Sequence, residues 1–456
     1  MEAPAPANVP ADVRRILETL WSNGHAAYLV GGGVRDSLLD RRVTDWDIAT
    51  DSLPETTMAS FPGSDYTNRF GTVTVPSDPK GIEVTTFRRD HRYADHRRPD
   101  SVSFTGSLDE DLSRRDFTVN AIAWGRAASD ADERWVDPTG GMDDLRAGVM
   151  RAVGDPNVRF DEDALRLLRA ARLAAQLDFQ IEQQTMAAMA ATAETARWVS
   201  NERIGGELRK MIAADPPSRA FAILADAGVI EHSLPELAAQ RGVPQDKVTG
   251  HDLWGHCMAT LDAAAAIGRD NQALRLAALL HDIGKPPTSA HGHFIGHDEE
   301  GAKMAEMMLT RLAYPRHEIT KVAALIRNHM FSYEPRWSSA AVRRFIRRVG
   351  RELIDDLVNL RRADNVGSGL APEAGHVDEL ASRVAAELQA GSPLTLRELA
   401  IDGDDLVSDL GLKPGPKVGQ LLERLLGSVI SDPSRNTREQ LLAEARAWTA
   451  EAPVAS

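Results

Sequence analysis

The sequence predicts an α+β protein, with a β-rich head followed by an all-helical remainder. Three observations carry this expectation. Short β-branched runs bounded by Gly, Pro or Asp are concentrated in residues 1–150. From about residue 160 the apolar pattern changes to helical spacing, as with Leu165, Leu168, Leu173 and Leu177. And 456 residues are too many for one ordinary domain. The chain divides into a head (1–150), a helical neck (151–235), a second helical domain (240–370) and a C-terminal helical tail (371–456).

In the head, AAYLVGG, DWDIAT, GTVTV, IEVTTF and TVNAIAW read as strands. FDEDALRLLRAARLAAQLDF then reads as one helix of the neck. EHSLPELAAQRGVPQDKVTG (231–250), with its prolines and glycines, reads as a linker. Helices over 251–370 hold most of the histidines, and GDDLVSDLGLKPGPKVG (403–419) is a loop followed by further helices.

The totals exclude several classes. Apolar content of 43% and charged content of 26% belong to a soluble globular protein. The longest apolar runs, such as LRLAALL at 274–280, are too short to cross a bilayer. The opening MEAPAPANVPADV lacks a basic and an apolar region, so it reads as a disordered lead and not as a signal peptide. A single cysteine, Cys257, rules out a disulfide framework and suggests a reducing compartment, the cytoplasm. The net charge of −14 argues against nucleic acid in bulk, although basic stretches at 87–99, 336–351 and 360–364 leave room for a local RNA surface.

The head carries the first candidate site. In VTDWDIAT (43–50), a strand would place Asp45 and Asp47 on one face and Trp46 and Ile48 on the other. Two like charges so placed destabilise each other unless a cation lies between them, and a hard cation such as Mg²⁺ takes oxygen ligands. The bland alternative is a solvated edge strand. Upstream, YLVGGGVRDSLL (28–39) runs from a strand through three glycines into a helix, an arrangement that lets backbone N–H groups approach a phosphate. Arg35 stands ready to meet phosphate charge. A phosphate cradle beside an acidic pair points to phosphoryl or nucleotidyl transfer. Glu83, in IEVTTF, is the best-placed third carboxylate.

This constellation resembles the polymerase-β-type nucleotidyltransferase superfamily. Within it, GGGVRD (31–36) with TDWDIAT resembles the bacterial class II tRNA nucleotidyltransferase and poly(A) polymerase family. RRDFTVNAIA (114–123), DPTGGMDDL (137–145), DEDALRLLRAAR (161–172) and ERIGGELRKM (202–211) resemble that family's later motifs in order. The resemblance implies that Gly32, Arg35 and Arg115 contact the incoming nucleotide and that Asp45 and Asp47 hold Mg²⁺. It implies addition of C, C and A from CTP and ATP to a tRNA 3′ end, with DPTGG as a hinge.

Asp163, Arg166, Arg169 and Arg172 are spaced by three and would share one face of a helix. A salt-bridged, solvated helix would give the same pattern. An aspartate beside an arginine, however, offers an acceptor for an amino group and a donor for a ring nitrogen. Cytosine and adenine match it; uracil and guanine present the reverse. By the resemblance, Asp163 and Arg166 would template CTP and ATP, with Arg169 and Arg172 facing triphosphate.

The second candidate site lies around LLHDIGKP (279–286), where His281 and Asp282 adjoin at a helix end. With His256 upstream and Asp364 downstream the pattern resembles the HD phosphohydrolase superfamily, which implies these four as metal ligands. His297 and His329 would support a second metal or a phosphate. Imidazole with carboxylate suits Mn²⁺, Ni²⁺ or Fe, with Mg²⁺ as a further choice. Phosphatase or 2′,3′-cyclic phosphodiesterase action on RNA ends is one reading of this domain; a structural grip on tRNA is the other. Cys257 reads as packing.

Three rivals share parts of the pattern. A poly(A) polymerase and an A-adding-only tRNA enzyme carry nearly all the motifs. A signalling protein uridylyltransferase also joins a nucleotidyltransferase to an HD domain, but should lack the templating helix. A non-catalytic RNA-binding protein has no need of the acidic pair.

Overall fold

The computed structural model describes residues 5–451 apart from 7, 69, 79, 92–100, 246–247 and 291–292. The basic stretch expected at 87–99 therefore falls largely outside the described residues. The chain forms two compact units, Met1–Ala238 and Ala239–Ser456.

The first unit is built on a seven-stranded sheet in the order β3-β4-β5-β2-β1-β8-β9. Its strands are β1 (Ala27–Val30), β2 (Asp47–Thr50), β3 (Asp65–Asn68), β4 (Thr72–Val75), β5 (Ile82–Thr86), β8 (Ala123–Arg126) and β9 (Arg134–Val136). β6 (Arg88–His91) and β7 (Ser101–Phe104) form a separate antiparallel pair. β1 is buried along its whole length and pairs antiparallel with β2 and β8. β2 pairs parallel with β5. One face of the sheet closes a core of Tyr28, Val30, Ala49, Phe87, Leu112 and Ala123. The helix Ala11–Ser22 buries Val13, Ile16, Leu17, Leu20 and Trp21, and Trp21 Nε1 donates to the Ala27 carbonyl at the start of β1.

The structure corrects several expectations. Asp45 precedes β2 and lies in the irregular segment before it, so the two aspartates do not share a strand. Of TVNAIAW, Thr118–Asn120 form a 3₁₀ turn and only the end enters β8. The single neck helix is broken. Asp155 caps and Pro156 starts a helix Pro156–Glu162, and a second helix runs over Leu165–Leu177. Asp163 stands between them in extended conformation (φ −144°, ψ 100°) and accepts from Leu165 N–H at 3.1 Å. A carboxylate that caps the following turn competes with helix continuation, which is why the break falls here. The second helix buries Leu165, Leu167, Leu168, Leu173 and Leu177, each contributing roughly 1.5–3 kcal/mol by removal from water. Within 231–250, read as a linker, the chain first forms the short helices Ile230–Ser233 and Pro235–Ala238.

The second unit is helical. The helix Leu253–Ile267 packs on Ile354–Gly367 and on Gln272–Leu280, and His297–Arg311 packs on Arg316–Asn328. Toward the C-terminus, Ser339–Val349, Val377–Gln389 and Pro416–Ser431 pack together, followed by Arg438–Glu451.

Candidate functional sites

In the head, β1 ends at Val30 and the chain turns at once into the helix Gly31–Leu38. Gly31 has φ +75°, which glycine adopts without a Cβ clash. A Cβ there would lie 3.2 Å from Arg115 Nη1 and 3.3 Å from Asp47 Oδ2, so these two groups converge over the turn. A Cβ at Gly33 would lie 2.6 Å from the Asp45 carbonyl oxygen; the glycine lets the segment before β2 close on the helix. Glu83 stands directly opposite Asp47 in the β2–β5 pair. Burial first, then Glu83 and Asp45, push the Asp47 carboxyl up, against the opposing pull of Arg115 and Lys80. Lys80 Nζ meets Asp45 at 2.7 Å. Asp45, Asp47, Glu83 and Lys80 line a cleft of about 380 Å³ together with Ser77 and Asp78.

Arg115 Nη2 reaches Asp111 at 3.3 Å, and its Nε is buried with no partner among the described residues. An unpartnered buried donor beside crowded carboxylates fits a site that receives an anion together with a cation. Gly32 lies near Arg35, whose Nη2 is 3.6 Å from where a Gly32 Cβ would be. Arg35 itself is buried; it donates to Asp36 and, at 2.8 Å, to Asn120 Oδ1. It braces the helix start and is not among the residues lining the cleft.

Residues 114–116 join the head to the neck. The Arg114 carbonyl accepts from Arg166 Nη2 at 3.2 Å. Asp116 Oδ2 accepts from Arg169 Nε at 2.8 Å and Nη2 at 2.5 Å, while Oδ1 accepts from Asn120 Nδ2 at 3.0 Å. Burial alone would raise the Asp116 carboxyl, but Arg169 and Asn120 outweigh it and hold the group far below the usual carboxylate range.

The templating set is arranged differently from the helical face that spacing suggests. Both oxygens of Asp163 accept from Arg203, Oδ1 from Nη1 at 2.9 Å and Oδ2 from Nη2 at 2.7 Å. Arg166 Nη1 donates to Glu162 Oε2 at 2.7 Å and to the Arg159 carbonyl at 3.0 Å. Arg172 donates to Glu207 at 2.5 Å and to Gln176 at 2.8 Å. Arg169 and Arg172 thus face Asp116 and Glu207, and not an open triphosphate site. A buried guanidinium requires a paired carboxylate, and the fold brings one to each.

In the second unit, His256, His281 and Asp282 form one group of candidate ligands and Asp282, His297 and His329 another, all buried. Asp282 Oδ2 lies 3.4 Å from His256 Nε2 and 3.1 Å from His281 Nε2; its Oδ1 lies 3.4 and 3.6 Å from Nε2 of His297 and His329. Asp364 Oδ1 is 3.3 Å from His256 Nε2. Nδ1 of His281, His297 and His329 each sits 2.6–2.8 Å from a backbone carbonyl. An Nδ1–H bond of that kind directs the Nε2 lone pair into the site, as metal-binding imidazoles require. Burial lowers the His281 pKa; for His256, Asp282 and Asp364 outweigh burial and raise it. Lys285 Nζ touches Asp282 Oδ2 at 2.6 Å, and with Arg361 it lines the adjoining cavity.

His256, His281 and Asp282, named from sequence, form one group, Asp364 approaches His256 and His281, and His297 and His329 join through Asp282. Sequence reasoning did not single out Lys285, which the turn after Leu280 brings back against Asp282 three residues earlier. Arg203, Asp111 and Glu207 were also not singled out, and no local spacing ties them to their partners.

Among the described residues no helix is long and apolar enough to cross a membrane. Residues 27–151 match the "Poly A polymerase head domain", 178–241 the "Probable RNA and SrmB- binding site of polymerase A", and 253–368 the "HD domain". A CCA-adding enzyme of Geobacillus thermodenitrificans is 34% identical over 431 residues, 94% of each chain. One from Streptococcus gordonii is 32% identical over 430 residues, 94% of this chain and 95% of that one. The crystal structure of the Bacillus stearothermophilus CCA-adding enzyme in complex with CTP is similar with a TM-score of 0.72 and 28% identity, covering 96% of this chain and 98% of that one.

Proposed function

The chain belongs to the family of CCA-adding enzymes, and on that basis we propose how its residues divide the work. It is a nucleotidyltransferase that adds C, C and A from CTP and ATP to the tRNA 3′ end with no nucleic-acid template. Its substrates imply the cytoplasm.

The observation that carries the head assignment is Asp47 opposite Glu83, with Arg115, whose Nε has no partner among the described residues, converging with Asp47 over Gly31. Asp45, Asp47 and Glu83 would hold Mg²⁺, which when bound makes the RNA 3′-hydroxyl a better nucleophile and neutralises charge on the leaving pyrophosphate. Arg115 donates to the triphosphate through the donor that the free protein leaves unmatched. Lys80 gives up Asp45 when the site fills. Asp163 accepts from the amino group of cytosine or adenine, and Arg166 donates to the ring nitrogen after turning from Glu162. Arg35, Arg169 and Arg172 hold the two halves of the site in register through Asn120, Asp116 and Glu207. The hinge reading of DPTGG is supported by Gly140 in left-handed conformation and by Asp137 capping Gly141 and Met142 N–H groups.

Addition to a tRNA transcript lacking its CCA, read at single-nucleotide resolution, tests this reading. Growth by two with CTP, by one more with ATP, and then arrest is the expected result. A ladder of adenosines would mean a poly(A) polymerase.

For the second unit the reading is metal-dependent phosphoester hydrolysis. Its support is Asp282, with one oxygen toward His256 and His281 and the other toward His297 and His329. These residues would hold a divalent transition metal or Mg²⁺, which supplies an activated water. Opening of RNA 2′,3′-cyclic phosphate ends by one water to a phosphomonoester and a free hydroxyl, stopped by chelation and restored by Mn²⁺ or Ni²⁺, is the test.

A further inference from the structure

Asp163 receives a planar two-pronged guanidinium contact from Arg203, at 2.9 and 2.7 Å, with both side chains largely buried. Arg203 lies in the first turn of the helix Asn201–Ile212. A cation there opposes the helix dipole, so stability of that helix does not account for an arginine at this position. The geometry points to Arg203 as the positioning residue for base selection, which aims the Asp163 carboxylate. This rests on the reading of Asp163 as the carboxylate that reads the base.

The argument is one of lone pairs. An ionised carboxylate offers about four acceptor sites. Oδ1 of Asp163 accepts from Leu165 N–H and from Arg203, whereas Oδ2 accepts only from Arg203 among the described residues. The remaining acceptor capacity on Oδ2 is what a base amino group would take. A carboxylate held in place by N–H groups on both oxygens presents acceptor lone pairs in fixed directions. It therefore meets the amino groups of cytosine and adenine and turns a lone pair against the carbonyl oxygens of uracil and guanine. Without Arg203, Asp163 would keep only the Leu165 contact and could rotate about its side-chain bonds. Lysine restores the charge but not the planar fork.

The test uses the full-length protein and a tRNA transcript lacking CCA. The specificity constants for CTP and UTP are compared in wild type, Arg203→Gln, Arg203→Lys and Asp163→Ala, with melting temperature as the fold control. The expected result is a fall of at least about tenfold in the CTP-to-UTP ratio for Arg203→Gln, the scale of one lost base-reading contact, with Arg203→Lys in between. Slower addition with an unchanged ratio in both Arg203 variants would overturn the inference and leave Arg203 as a structural clamp. An unchanged ratio in Asp163→Ala would instead remove the reading of Asp163, and the inference with it. Should Arg203→Gln fail to fold, an unchanged ratio in Arg203→Lys overturns the inference equally.

Discussion

Glu83 faces Asp47 across the parallel pair β2–β5, placing two carboxylates side by side on one face of the sheet. Neighbouring strands lie about 4.8 Å apart, so the two charges cannot avoid each other. Burial together with Glu83 raises the Asp47 pKa. A raised carboxylate costs stability as pH rises through its folded value, so the metal-free protein bears this cost at neutral pH. Asp47→Asn should therefore raise the melting temperature of the metal-free protein. Nucleotide addition should fall by more than the ~100-fold that loss of outer partners of a metal site costs. A calorimetric scan without metal and a primer-extension assay with Mg²⁺ check the two halves; a drop in both would mean that Asp47 is chiefly structural.

Arg172 and Glu207 are both buried and meet at 2.5 Å. Arg172→Ala leaves Glu207, among the described residues, with Lys210 at 3.7 Å and the charge of Arg169 but no close guanidinium partner. Breaking a buried pair in this way costs about 3–5 kcal/mol. Urea unfolding should show that loss, while the KM for CTP in the surviving folded fraction stays close to wild type. A raised KM at unchanged stability would restore the triphosphate-facing role.

Asp116 predicts an acid transition. Its folded pKa is depressed by Arg169 and Asn120, so its contribution to stability is complete above the unfolded carboxylate value, near 3.9, and is lost as pH falls below it. Urea midpoints between pH 2 and 7 should decline more gently for Asp116→Asn than for wild type. That variant should start from a lower stability at pH 7, because Arg169 loses its charged partner. Parallel curves would contradict the assignment.

The two sites lie in separate units, which predicts separable activities. His281→Ala should abolish phosphoester hydrolysis and spare nucleotide addition. Asp282→Asn, which touches both histidine pairs, should lower bound metal further than His281→Ala does. Metal content by atomic emission after dialysis is the direct measure; equal metal loss in the two variants would refute a shared carboxylate.

The class of fold, the acidic pair, the glycine turn and the HD cluster are all legible in the sequence. Each depends on local chemistry: β-branched runs, two carboxylates one residue apart, a backbone turn that requires glycine, and histidines at helix ends. Asp163 and the arginines after it were also visible, but their partners were not. Arg203 lies 40 positions from Asp163, Glu207 lies 35 from Arg172, and Asp116 lies 53 from Arg169. A repeat of three residues describes a helical face equally well whether that face meets solvent, a nucleotide or another carboxylate. Only tertiary packing chose among these, because a guanidinium removed from water must find an anion, and the fold determines which anion is within reach.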